Sequence, residues 1–168
     1  LIGVDQPYSV AEHNLRAAQI ALILAKMENY KNPYEVCTMT VFHDMEECRT
    51  GDVNKVMNRY ITGDKLGAVH DQTEKLDALG KDIAHLWKQH EEHTTTAGII
   101  SKDADLLEQA VMAKELVEKG YAYAQDWIKN VGMKLQTTSG KKLWEALQKG
   151  DSNAWGQGLK KHTDIPKK

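Results

Sequence analysis

Cysteine is nearly missing from this chain. Cys37 and Cys48 are the only two, and no Cys-x-x-Cys pair occurs. That excludes a disulfide framework and a thiolate zinc site, and it fits a reducing cytoplasm as the compartment. Charge of one sign is also lacking: 22 basic residues meet 24 acidic ones, for a formal net charge of −2. No basic field argues for nucleic-acid binding, and the locally basic end LKKHTDIPKK reads as a solvated tail. No apolar run approaches the ~18–20 residues that a membrane span needs. The longest, Ile20 to Ala25, reads as one side of a helix, and no signal-peptide pattern is present. The chain begins with Leu rather than Met, which leaves room for residues upstream.

Proline occurs three times, phenylalanine once, and alternating β-branched runs are few. Strong helix formers dominate, which predicts an all-α fold. With 168 residues, 41% of them apolar, the chain can build one core, and a single compact domain over 1–168 is the expected organisation. Ser9-Val10-Ala11-Glu12 is a capping-box pattern. It opens a helix to about Glu28, with Leu15, Ala18, Leu22 and Ala25 on one apolar stripe. Asn32-Pro33 opens a second helix that carries Val36, Thr40, His43 and Glu47 and ends at Gly51. A loop and a short helix follow to about Tyr60. A long helix is expected from about Lys65 to Glu92, broken near Gly80, and another from about Thr96 to Lys119, stopped by Gly120. Three shorter helices complete the chain: Tyr123 to Leu135, Ser139 to Leu147 and Asp151 to Lys161. Thr138 or Ser139 and Asp151 serve as caps.

The stretch VFHDMEECRTGD, from Val41 to Asp52, sets His43 and Asp44 side by side in apolar surroundings. Burying both is costly unless something pairs with them. His13 lies in the first turn of the first helix, and Asp103 and Asp105 lie on a later one. One His, a His-Asp pair and a distant Asp make a mixed nitrogen–oxygen ligand set. Such a set suits one divalent ion (Mn, Fe, Co, Ni, Zn or Mg) better than a soft thiolate metal. With four protein ligands an octahedral ion keeps open positions, as a catalytic ion must. Glu47 shares a helical face with His43 at i and i+4, so it can stand over a water beside the ion.

The segments PYSVAEH, HDMEECRTGD and KDAD, in this order and separation, resemble the HD superfamily of metal-dependent phosphohydrolases. They are most similar to its branch containing the bacterial 5′-deoxynucleotidase and related hydrolases. The resemblance covers most of the chain, the DWIKNVGMKLQTTSGKKLWEAL stretch included. It implies a helical HD domain whose metal ligands are His13, His43, Asp44 and Asp105. Asp105 is preferred to Asp103 because the family aspartate follows alanine and precedes leucine, as in Ala104-Asp105-Leu106. Glu47 falls on the family's catalytic glutamate, and Asp52 on a carboxylate bordering the substrate pocket. Two departures stand out. An Arg-x-Gly-Trp-like stretch that precedes S-V-A-E-H in the nearest nucleotidases has no counterpart in LIGVDQP. Where relatives read Thr-x-Glu-Ala, this chain reads Thr95-Thr96-Ala97-Gly98.

Among the basic residues near the motifs (Arg49, Lys55, Arg59 and Lys102), Arg49 is the first choice for phosphate oxygens and Lys55 the second. His85, His90 and His93 gather around a threonine run; HEEHTTT reads as a solvated helix end rather than a second metal site. The four tryptophans read as core or interface anchors. The resemblance implies hydrolysis of a phosphomonoester, a nucleoside or deoxynucleoside 5′-monophosphate, by a homodimer. The alternatives are a phosphodiesterase or (p)ppGpp-type hydrolase, a di-iron oxygenase of the same superfamily, and a non-catalytic metal-binding helical module.

Overall fold

The structure is a computed structural model that describes residues 2–159; the basic tail and the end of the last expected helix lie outside these residues. The described residues form helices and turns and no strand, as an all-α composition requires. Helix α1 is Val10–Met27. Its capping box closes as expected: the Glu12 amide donates to Ser9 Oγ at 3.2 Å, and the Ser9 amide donates to the Glu12 carboxylate at 2.9 Å. The expected stripe holds at Ala18 and Ala25, with Leu22 half-buried, and fails at Leu15. Ala17, Ala18, Ala21, Leu24 and Ala25 face inward, while Leu15 is 65% exposed. Four alanines let the α1 backbone come close to α6 (Thr96–Glu118), since interhelix distance follows side-chain size at the contact. That approach sets His13 beside Asp105.

Helix α6 is the central element. It touches α1, α2 (Pro33–Val41), α5 (Asp77–Glu92), α7 (Gln125–Gly132) and α8 (Thr138–Lys149), and it is buried along most of its length. Leu24, Val36, Met39, Ile100, Leu107 and Val131 form the main core around it.

Helix α2 opens with Pro33 at its first position, as expected, but ends at Val41 instead of running to Gly51. The amides of Phe42, Met45 and Glu47 bond three residues back, to Met39, Phe42 and Asp44, in tight turns leading into the short α3 (Glu47–Thr50). The cause is local competition. A continuing helix would offer the Thr40 carbonyl to the Asp44 amide; here the carbonyl pairs with His43 Nδ1 at 2.7 Å. The Glu46 carboxylate is drawn into the core, where Trp87 Nε1 donates to it at 2.8 Å.

The long helix expected from Lys65 is two helices. Helix α4 (Lys65–Thr73) passes through a 3-10 turn at Glu74–Leu76 into α5, with Asp77 at φ 50°. The break precedes Gly80, whose role is close approach: a Cβ there would collide with the Thr73 carbonyl. Helix α8 is capped by Thr137, not by Thr138 or Ser139; Thr137 Oγ1 accepts from the Gly140 amide at 3.0 Å. The same hydroxyl donates to buried Asp103 at 2.6 Å, and the Gln136 and Thr137 amides donate to that carboxylate as well. Asp103 therefore ties α6 to the start of α8. A 3-10 turn (Ala122–Ala124) leads into α7, and α9 is Ala154–Leu159. No helix among the described residues is long and apolar enough to cross a membrane.

Candidate metal centre and cleft

The first turn of α1, the α2–α3 turn and the middle of α6 meet at one point. His13 Nε2 lies 3.2 Å from His43 Nε2, 3.5 Å from Asp44 Oδ2 and 3.3 Å from Asp105 Oδ1. His43 Nε2 lies 3.0 Å from Asp44 Oδ2 and 3.8 Å from Asp105 Oδ1. All four residues expected as metal ligands are thus brought together, and three of them, His13, His43 and Asp105, offer atoms within 4.8 Å of one another.

Hydrogen bonds behind the centre orient the imidazoles. His43 Nδ1 faces the Thr40 carbonyl, which can only accept, so Nδ1 carries hydrogen and Nε2 turns inward. His13 Nδ1 faces the buried Glu108 carboxylate, with the same result. Arg16 holds Glu108 in turn, its Nε donating to Oε1 at 2.8 Å, and extends to Glu115, which accepts from the Tyr8 hydroxyl. A carboxylate behind a ligating imidazole is the usual support of a metal site. Glu108 and Arg16 were not foreseen; the spacing of Glu108 three residues after Asp105 could have suggested it.

The centre is built for positive charge. Burial alone would depress His13 and His43. Asp105 and Glu108 outweigh it and raise His13 to about 10, and Asp105 with Asp44 raises His43 to about 9. Burial alone would raise Asp105, yet hydrogen bonds from both histidines and the Lys102 charge hold it well below the carboxylate range. Two imidazole nitrogens and two carboxylates that otherwise need protons between them are a donor set that fits a divalent cation of borderline hardness.

The centre opens into a cleft of about 290 Å³ lined by Glu47, Asp52, Lys65, Glu91 and Lys102, among others. Glu47 is pushed up to about 7 by burial, then by the charges of Asp44, Asp52 and Glu46. Asp52, Tyr8 and Met112 are shared with a side cavity of about 410 Å³, walled also by Val4, Leu116 and Trp127.

The expected phosphate contacts are placed elsewhere. Arg49 turns to Asp71, 3.6 Å away, and is not among the cleft residues; Lys55 is exposed and is not among them either. The basic groups on the cleft are Lys102, whose Nζ donates to Asp105 Oδ2 at 2.7 Å, and Lys65, 2.9 Å from Glu46 Oε1. Nothing local in the sequence marks Lys65; it reaches the cleft because buried Glu46 holds it.

His90 also departs from expectation. It is fully buried, not a solvated helix end. Its ring lies 4.7 Å from that of His43, and Nε2 is 3.9 Å from Asp105 Oδ2. Burial first, then the charges of His43 and Lys102, push it down to about 3, so it is neutral. His85 and His93 are exposed, and His93 ends α5 in the left-handed region.

Comparison with known proteins gives a consistent family. A family model described as HD domain matches residues 2–148. The 5′-deoxynucleotidase HDDC2 of Danio rerio is 28% identical over 120 residues, covering 69% of this chain and 59% of its own length. The Dictyostelium discoideum protein of the same name is 28% identical over 123 residues, 67% of this chain and 65% of its own length. The chain thus spans about three fifths of the curated relatives it matches. A crystal structure from a genomics programme superposes with a TM-score of 0.76 at 30% identity, covering 92% of this chain and 84% of that one. A conserved hypothetical protein of Pyrococcus furiosus, 21% identical, gives 0.73 over 89% and 87% and shares the fold.

Proposed function

This chain belongs to the HD domain family, and from that premise we propose that it is a metal-dependent phosphohydrolase releasing phosphate from nucleoside 5′-monophosphates, deoxynucleotides included. The observation that carries the reading is one cleft lined by His13, Asp44, Asp105, Glu47 and two lysines, with buried His43 Nε2 3.0 Å from Asp44 Oδ2 behind it.

His13, His43, Asp44 and Asp105 would hold the ion. Once bound, a divalent ion supplies charge neutralisation for the phosphate and acidifies a water. The chain's own groups do the rest. Glu47, raised toward neutrality, can take a proton from the attacking water near pH 7, where general-base catalysis is most effective. Lys102 and Lys65 line the cleft where phosphate oxygens would enter and present ammonium donors to them. Asp52 stands between the cleft and the apolar side cavity, a position suited to a sugar hydroxyl. Trp127, Met112 and Leu116 beyond it offer an apolar wall for a base. Arg49 and Lys55 have no part in this reading.

The test is phosphate release from a panel of ribo- and deoxynucleoside 5′-monophosphates, after chelation and with single divalent metals restored. Metal-dependent release is expected. Glu47→Gln should retain the metal and lose about 10²–10⁴-fold in turnover. A metal-loaded, folded protein that releases phosphate from none of the panel would refute the reading and favour a binding role.

A further inference from the structure

We propose that the Lys102 ammonium occupies the place of a second metal ion, seated on Oδ2 of Asp105 beside the open nitrogen of His90, and so fixes the centre at one ion. The inference rests on the reading above that the centre binds metal.

A chain of hydrogen bonds settles which nitrogen of His90 is open. Thr40 Oγ1 donates its one hydrogen to the Val36 carbonyl at 2.9 Å. Ser101 Oγ, 2.8 Å from Thr40 Oγ1, must therefore donate to it. Ser101 is then left as the acceptor for His90 Nδ1 at 2.7 Å. His90 consequently carries its hydrogen on Nδ1, and Nε2 is a bare lone pair. That nitrogen is completely buried, has no hydrogen-bond partner and faces Asp105 Oδ2 across 3.9 Å. Two electron-rich atoms held this way in a buried site repel unless a cation sits by them.

Asp105 already divides its two oxygens. Oδ1 turns to His13 and His43, the side of the first ion, and Oδ2 turns to Lys102 Nζ at 2.7 Å. A carboxylate divided like this is how two metal ions are bridged when a site holds a pair. An imidazole lone pair and the outer carboxylate oxygen are the start of that second site, with Glu91 on the same cleft wall. The ammonium fills it instead. It supplies the positive charge that a second ion would bring to the anionic substrate, from a side chain that cannot dissociate.

Equilibrium dialysis against Mn²⁺, with metal counted per folded chain, tests this. The native protein should hold about one ion and Lys102→Ala about two, the added ion showing as a spin-coupled pair by electron paramagnetic resonance. Lys102→Ser should behave like Lys102→Ala, and serves if the alanine variant does not fold. Adding His90→Ala to either should return the count to about one. Two ions in the native protein, one in both Lys102 variants, or two after His90 is removed would each overturn the proposal. No ion in the native protein would instead overturn the metal-dependent reading on which it rests.

Discussion

Asp103 and Asp105 stand two residues apart on α6 and have opposite jobs, and replacing each by alanine separates them. Asp103 is fully buried. It accepts from the Gln136 amide at 3.0 Å, the Thr137 amide at 2.7 Å and the Thr137 hydroxyl at 2.6 Å. Hydrogen bonds to a charged group contribute roughly 1.5–3 kcal/mol each, and a donor left buried without a partner costs about 1–3 kcal/mol. The three bonds share one carboxylate and are not additive. The expected loss for Asp103→Ala is therefore about 3–5 kcal/mol, the range for removing one partner of a buried charged network. Urea unfolding followed by circular dichroism measures it, on chelated protein so that metal binding adds nothing. At low urea, where the variant is still folded, it should take up metal as the native chain does. Asp105→Ala should fail to bind metal while folded. A loss below about 1 kcal/mol for Asp103→Ala, or metal uptake lost with the fold intact, would refute the assignment.

Gly132 packs against the Trp144 ring, where a Cβ would overlap ring atoms; Gly132→Ala should cost about 1–3 kcal/mol by overpacking, read from the shift in urea midpoint. Arg49→Ala should leave KM for any accepted mononucleotide nearly unchanged, because Arg49 is half-exposed and turned to Asp71. A large rise in KM would return Arg49 to the substrate. A pH effect follows from Glu47, whose folded value of about 7 exceeds its ordinary 4.5. The folded state then holds that proton more tightly than the unfolded chain, so this group's contribution falls as pH rises from 4.5 to 7. His90, depressed to about 3, contributes the opposite slope below 6.5. The native-minus-Glu47→Gln difference in chelated protein isolates Glu47, and a difference flat across pH 4.5–7 would contradict the shift.

Where sequence pattern and local physics coincide, the reading of the chain holds. The Ser9 capping box, Pro33 at a helix start and the stop before Gly120 are all local events, and all are observed. The resemblance of three short segments points to His13, His43, Asp44, Asp105 and Glu47, and the fold brings these residues together. What escaped depends on distant partners. The α2–α3 break has no Gly or Pro to announce it; it comes from His43 taking the Thr40 carbonyl and Glu46 reaching Trp87. Nearness along the chain favours Arg49, but the turn directs it to Asp71 and leaves the cleft to Lys65, the first residue of α4. His90 sits in a run of polar residues that looks like solvent-facing helix end. Only the packing of α5 on α6 shows that this one histidine points inward.

The meeting of the first turn of α1, the α2–α3 turn and α6 also has a consequence for chain topology. On the proposed reading, an ion held by His13, His43, Asp44 and Asp105 would be a reversible cross-link between segments far apart in sequence. Binding only the assembled arrangement, it lowers the free energy of the closed chain and leaves the open ensemble untouched. Chelation should therefore loosen the molecule unevenly. Amide exchange should quicken most around His13 and through residues 42–46, which the ion would join to α6. It should change least at the Asp103–Thr137 junction, which has its own fastening.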